Sequence, residues 1–127
     1  MKILHIDDSS IFIRNTKRLL LQKLDVSYDY VNNTSELYNY LSHNTIPEIM
    51  IVDLMLENDF DTEPGKKLIE ALAKKYPQIK LVVLTGNPDT ELQEYLFPMI
   101  RHYETKGSDP FLFIQTMAEI VQQSINI

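Results

Sequence analysis

Cysteine is absent from the 127 residues. Disulfides, thiolate zinc sites, iron–sulfur clusters and a cysteine nucleophile are excluded with it. Glycine is scarce at 3 residues, so flexible joints are few and no Gly/Ser linker divides the chain. Positive charge falls short: 12 Lys+Arg stand against 18 Asp+Glu, for a net charge of −6. An acidic domain repels phosphate backbones, and direct binding to nucleic acid is not expected. No apolar run approaches the ~20 residues that span a bilayer. The start, Met1-Lys2-Ile3-Leu4-His5-Ile6-Asp7-Asp8, turns acidic too soon for a signal peptide. Repeats and low-complexity tracts are missing as well. The expectation is one soluble, cytoplasmic domain over residues 1–127, large enough to bury its own core.

What is present is an alternation of apolar runs and amphipathic segments. Ile3 to Ile6 reads as a buried strand that ends at two carboxylates. Ser9 or Ser10 is placed to cap a helix whose inner face holds Phe12, Thr16, Leu19 and Leu20. Val26 to Val31, with Tyr28 and Tyr30, suits a second strand. Thr34 opens a helix with Leu37, Tyr40 and Leu41 inward, closed by Pro47. Glu48 to Leu54 is continuously apolar and β-branched, as a central parallel strand covered on both faces must be. Glu57 to Pro64 reads as an acidic loop, and Gly65 to Tyr76 as a helix stopped by Pro77.

Ile79 to Leu84 is a further buried strand, ending at Thr85-Gly86. A short helix begins at Asn87 or Asp89 and breaks before Pro98. Met99 to Glu104 is a weaker strand. Ser108-Asp109-Pro110 then starts a last helix with Phe113, Met117, Ile120 and Val121 inward. Strands alternating with helices predict an α/β fold: a doubly wound parallel sheet of five strands between two helical layers. Ligands in such folds sit outside the carboxyl ends of the strands, where strand order reverses.

At those ends stand Asp7-Asp8, Asp53, Thr85-Gly86 and Tyr103 to Lys106. Each alone reads as a helix cap, a loop acid or a surface lysine. Gathered on one edge, they place three carboxylates, a hydroxyl and an ammonium around a cleft. Clustered carboxylates repel one another. A hard divalent cation such as Mg²⁺, which takes oxygen ligands, relieves that repulsion. Without the ion, Asp53→Asn or Asp7→Asn is expected to raise stability. The set fits a phosphoryl group carried on a nucleophilic aspartate.

In these residues the chain resembles the receiver domains of two-component response regulators, of the chemotaxis-regulator kind. The resemblance runs over nearly the whole length, on Asp7-Asp8, Asp53, Thr85, Tyr103 and Lys106 in order. It implies a flavodoxin-like (βα)5 sandwich with strand order 2-1-3-4-5. It implies Asp53 as phosphoacceptor, with Asp7, Asp8, Asp53 and the Met55 backbone carbonyl around Mg²⁺. Thr85 and Lys106 would contact the phosphoryl group, and Thr85 and Tyr103 would relay the switch. The donor would be a sensor histidine kinase or phosphotransfer protein. The output face, from the fourth helix through the fifth strand to the fifth helix, would run from about Pro88 to Gln123. It would meet a downstream protein or a second copy of the chain. The resemblance implies a signalling switch, not a turnover enzyme.

The chain departs from the family pattern at four places. Lys106 is followed by Gly107 where the family usually has proline. A trans bond is expected there, since a cis bond before a non-proline residue costs about 2.5–4 kcal/mol. The loop from Glu57 to Glu63 is longer than usual and carries four acids without a base. It reads either as a gate against anionic donors or as a solvated loop. Pro98 shortens the fourth helix. Met55, two residues after Asp53, is apolar, which points to slow loss of the phosphoryl group. Asn87 lies two after Thr85.

Other readings remain beside this one. A degenerate receiver could serve as a binding or dimerisation module without phosphate. A phosphatase of the same topology would want a second acid where Met55 stands. His5, His43 and His102 lack metal-ligand spacing, and His5 reads as a hydrogen-bonded strand residue.

Overall fold

The computed structural model describes residues 1–56 and 61–125. The elements alternate as β1 (Lys2–Ile6), α1 (Ser10–Lys23), β2 (Ser27–Val31), α2 (Thr34–His43) and β3 (Ile49–Val52). Then come α3 (Glu63–Lys75), β4 (Lys80–Thr85), α4 (Thr90–Leu96), β5 (His102–Thr105) and α5 (Pro110–Ile125). One turn of 3-10 helix, Phe97–Met99, joins α4 to β5. The five strands are parallel and lie in the order β2-β1-β3-β4-β5. This is the expected topology, and strand order reverses between β1 and β3.

Side-chain alternation sorts the core into two layers. Leu4, Ile6, Met50, Val52 and Val83 pack with α2, α3 and α4 on one face of the sheet. Ile3, Ile49, Ile51, Val82 and Leu84 pack with α1 and α5 on the other. On α1 the buried residues are Ile13, Thr16 and Leu20, while Phe12 and Leu19 are half-buried at the flank. Tyr28 is buried, but Tyr30 is 53% exposed. The second strand is at the sheet's edge, where Tyr30 lines a shallow cavity with Arg14 and Lys17 of α1.

Helix starts follow their caps. Ser9 accepts from the Phe12 N–H, Asn33 from Glu36 and Asp89 from Leu92. The third helix begins at Glu63, two residues earlier than expected, because Pro64 suits its first turn and Asp61 accepts from the Glu63 N–H at 2.9 Å. Glu63 is therefore helical, and Glu57 and Asp59 of the acidic stretch lie outside the described residues. Gly65 answers to a close approach. A Cβ there would stand 2.2 Å from the Leu54 carbonyl oxygen and 2.4 Å from the Leu54 Cα. The fifth strand is shorter than expected because Pro98 draws Met99 into the 3-10 turn.

Candidate functional site

Backbone hydrogen bonds carry the sheet past its formal ends. The Asp7 N–H donates to the Val31 carbonyl at 3.1 Å, and the Asp53 N–H to the Ile6 carbonyl at 3.0 Å. Thr85 is the last residue of β4, and its carbonyl accepts from the Lys106 N–H at 2.7 Å. Residues far apart in sequence are thereby fixed side by side at the carboxyl edge.

Asp7 and Asp53 are buried and Asp8 is exposed. The Lys106 ammonium bridges the first two, 2.9 Å from Asp7 Oδ2 and 3.0 Å from Asp53 Oδ2. It donates a hydrogen bond to Asp53 and stands as an ion pair with Asp7. The Phe12 ring lies 4.5 Å from Lys106 Nζ and shields it from one side. Asp7 Oδ1 accepts from the Ser9 N–H at 2.9 Å, and Asp53 Oδ1 from the Met55 N–H at 3.0 Å. Thr85 is fully buried and its hydroxyl has no hydrogen-bond partner. A Cβ on Gly86 would come within 3.3 Å of the Met55 methyl, so that side chain lies against the Thr85-Gly86 turn.

Burial opposes the charge on Asp7, but His5, Lys106 and the Ser9 N–H outweigh it and lower its pKa. Burial likewise opposes the charge on Lys106, yet Asp7 and Asp53 outweigh it and raise its pKa. Burial pushes the fully enclosed His5 imidazole down, towards neutrality. The expected crowding is thus relieved at Asp7 by Lys106, and Asp7→Asn would remove an anion that the fold favours. Asp7 and Asp53 share the single positive charge of Lys106, which leaves one negative charge between them over.

A cation suits that remainder. Asp7, Asp8 and Asp53 each offer a carboxylate oxygen within 4.8 Å of the others. Oxygens sharing one Mg²⁺ at about 2.1 Å lie no more than about 4.2 Å apart. A small side-chain shift or an intervening water closes the difference, so the donor set fits the ion.

Tyr103 is half-buried, and its hydroxyl donates to the Asn87 carbonyl at 2.6 Å. Burial, with Asp89 and Asp53 adding to it, pushes its pKa up to about 12. The tyrosine is tied to the loop that follows Thr85. No described peptide bond is cis, and Gly107, at φ 94°, makes the turn after Lys106. Lys106 reaches both carboxylates without the family's proline. Along Pro88 to Gln123, Tyr95, Phe97, Phe111 and Leu112 are exposed.

The likeness to solved structures is close in shape and distant in sequence. The isolated REC domain of RcsB from Salmonella enterica serovar Typhimurium, in the presence of phosphomimetic BeF3-, superposes with a TM-score of 0.82 at 21% identity. That match covers 96% of this chain and 88% of the other. The signal receiver domain of an HD domain-containing protein from Pseudomonas fluorescens Pf-5 gives 0.81 at 19% identity, over 99% and 98%. The fold is that of a receiver domain. RcsB bound to promoter rprA matches at 0.81 and 22% identity, over 93% of this chain. This chain spans 66% of that RcsB chain and 61% of another in a DNA complex. No family model matches the sequence, and no curated protein matches it.

The receiver fold brings Asp7, Asp8, Asp53 and Lys106 together and sets Thr85 on the neighbouring strand end. Met55 lies on the loop leaving Asp53. Three contributors escaped the sequence reading. His5 approaches Asp7, Phe12 covers Lys106, and Gly65 admits α3 against Leu54. His5 had a signal, since residues two apart on a strand share a face. Phe12 had none, because its contact joins α1 to the loop after β5.

Proposed function

We propose that residues 1–127 form a phosphoacceptor receiver domain of a two-component response regulator. One observation carries this reading. Asp53 shares the Lys106 ammonium with Asp7, while the next strand end holds a buried hydroxyl with nothing to bond. A resting carboxylate does not need that hydroxyl; a phosphoryl group on Asp53 would.

The donor is a phosphohistidine of a sensor kinase or phosphotransfer protein. An Asp53 carboxylate oxygen attacks phosphorus, the P–O bond forms and the P–N bond breaks. The leaving imidazole keeps the electron pair and takes up a proton. Asp7, Asp8, Asp53 and the Met55 carbonyl would hold Mg²⁺, which would spread negative charge from the phosphoryl oxygens. Lys106 would turn from the two carboxylates to a phosphoryl oxygen, and Thr85 would donate its hydroxyl to another. Both cations would act on charge that develops during transfer. Met55, lying against Gly86, limits water at the site and slows hydrolysis.

Movement at Thr85 reaches Tyr103 through the Asn87 carbonyl. Phosphorylation then shifts a two-state equilibrium of the α4–β5–α5 face. The exposed apolar residues of that face suit a downstream protein or a second copy of the chain. The RcsB structures on promoter DNA concern proteins longer than this chain, and its net charge of −6 argues against direct nucleic-acid contact. Nothing in the composition calls for a membrane, and among the described residues no helix is long and apolar enough to cross one. A cytoplasmic switch is the reading these features support.

Intact mass after incubation with phosphoramidate and Mg²⁺ tests it. One phosphoryl adduct is expected, lost without metal and lost in Asp53→Asn. A folded wild type that takes neither phosphoryl group nor beryllofluoride sinks the reading in favour of a silent binding module.

A further inference from the structure

His5 has no part in the phosphoryl chemistry above, yet it is a fully buried imidazole beneath the pocket. On β1 it shares a face with Ile3 and Asp7. Its Nε2 lies 3.6 Å from Asp7 Oδ2, and neither atom has a hydrogen-bond partner. Its Nδ1 is in close hydrogen-bond contact with the Tyr28 hydroxyl. Tyr28 and Phe12 enclose the ring edge-on, at 5.9 and 6.4 Å between centroids.

The direction of these contacts can be worked out. The Tyr28 hydroxyl has one proton and two acceptors near it. The Ile13 carbonyl accepts only at 3.5 Å, while the His5 Nδ1 contact is far shorter. The proton therefore goes to His5 Nδ1. A ring that accepts at Nδ1 carries its own hydrogen on Nε2, facing Asp7. The opposite tautomer would set a lone pair against a carboxylate oxygen in a buried site, two acceptors with no donor between them.

We infer that His5 is a positioning residue for Asp7, held in the Nε2–H tautomer by Tyr28. The need for it follows from Lys106. That ammonium divides itself between Asp7 Oδ2 and Asp53 Oδ2 from a half-buried position after the edge strand. Any anion arriving at Asp53 draws it off. Of the two side chains beside Asp7 Oδ2, only His5 then remains, and a small rotation turns 3.6 Å into a hydrogen bond. The carboxylate stays aimed into the pocket while its other partner moves. The tautomer stands on geometry alone; its consequence for metal binding rests on the proposed receiver reading.

Two-bond ¹H–¹⁵N correlation on histidine-labelled wild type reads the tautomer directly. A protonated Nε2 and an unprotonated Nδ1 are expected for His5, with the preference lost in Tyr28→Phe. A proton on Nδ1, with or without one on Nε2, overturns the inference. Calorimetric titration with Mg²⁺ alone then reads the consequence. His5→Leu should weaken binding by roughly 10-fold, in line with the loss of other groups that orient metal ligands. His5→Gln, which restores an N–H near the Nε2 position, should recover most of it. Equal affinity in all three proteins overturns the positioning role. If the wild type shows the expected tautomer but binds no Mg²⁺ and takes no phosphoryl group, the receiver reading fails and the Tyr28–His5–Asp7 contact stands.

Discussion

The middle of the sheet and its β5 edge differ in how firmly they are held. Every residue of β3 is buried, as are Ile3 to Ile6 of β1 and Leu81 to Thr85 of β4. No residue of β5 is fully buried, and α4 beside it has only 7 residues. Asp7 and Asp53, which the proposed chemistry keeps in place, directly follow the middle strands β1 and β3. The groups that would move, Lys106 and Tyr103, are on the edge. A packed interior transmits a shift without yielding, while thinly packed elements open at lower cost. The contrast teaches that one sheet can hold some side chains firmly in its middle and others loosely at its edge.

The largest effect on this contrast is expected from Gly65. In Gly65→Val the new side chain meets the Leu54 backbone, and a loss of about 3 kcal/mol or more is expected in urea denaturation. Gly86→Ala meets only the end of Met55 and should cost under about 1 kcal/mol. Equal costs would mean that α3 does not press on the site loop.

Next comes Lys106→Met, which leaves two buried carboxylates facing each other. A loss of about 2–4 kcal/mol is expected, with part of it recovered on adding Mg²⁺. No recovery would count against an ion among Asp7, Asp8 and Asp53.

Thr85→Val should run against the usual sign for a buried polar deletion. Its hydroxyl satisfies nothing, so stability should hold or rise by up to about 1 kcal/mol. A clear loss would show that the hydroxyl is already bonded at rest.

A modest effect belongs to the edge. Tyr103→Phe gives up the bond to Asn87, worth about 0.5–1.5 kcal/mol. It also changes the alkaline limb. A tyrosine pushed up to about 12 in the fold ionises first in the unfolded chain, so stability falls as pH rises from about 10 towards 12. Tyr28, pushed up by burial on the other side of the sheet, adds to the same fall. Each Phe variant should remove its own share, Tyr28→Phe the larger. A steeper fall in Tyr103→Phe would reverse the comparison.

Much of this was legible in the residues. The apolar runs at Ile3, Ile49 and Leu81 could only be buried strands, and their spacing allowed few windings. Strand ends pointed to Asp7, Asp8, Asp53, Thr85 and Lys106, because in a parallel sheet all the carboxyl ends share one edge. Boundaries were less legible. Pro98 pulled Met99 out of β5, and Glu63 joined α3, because caps and turns compete within a residue or two.

Sequence by itself determined the class of fold and the chemistry gathered at its edge, since burial pattern and strand polarity are local properties that repeat along a chain. Only the tertiary structure decided who pairs with whom. Lys106 lies between Asp7 and Asp53, Phe12 beneath Lys106, His5 behind Asp7, and Leu54 against Gly65. Such contacts join side chains across layers, and their directions are set by packing that no stretch of sequence contains.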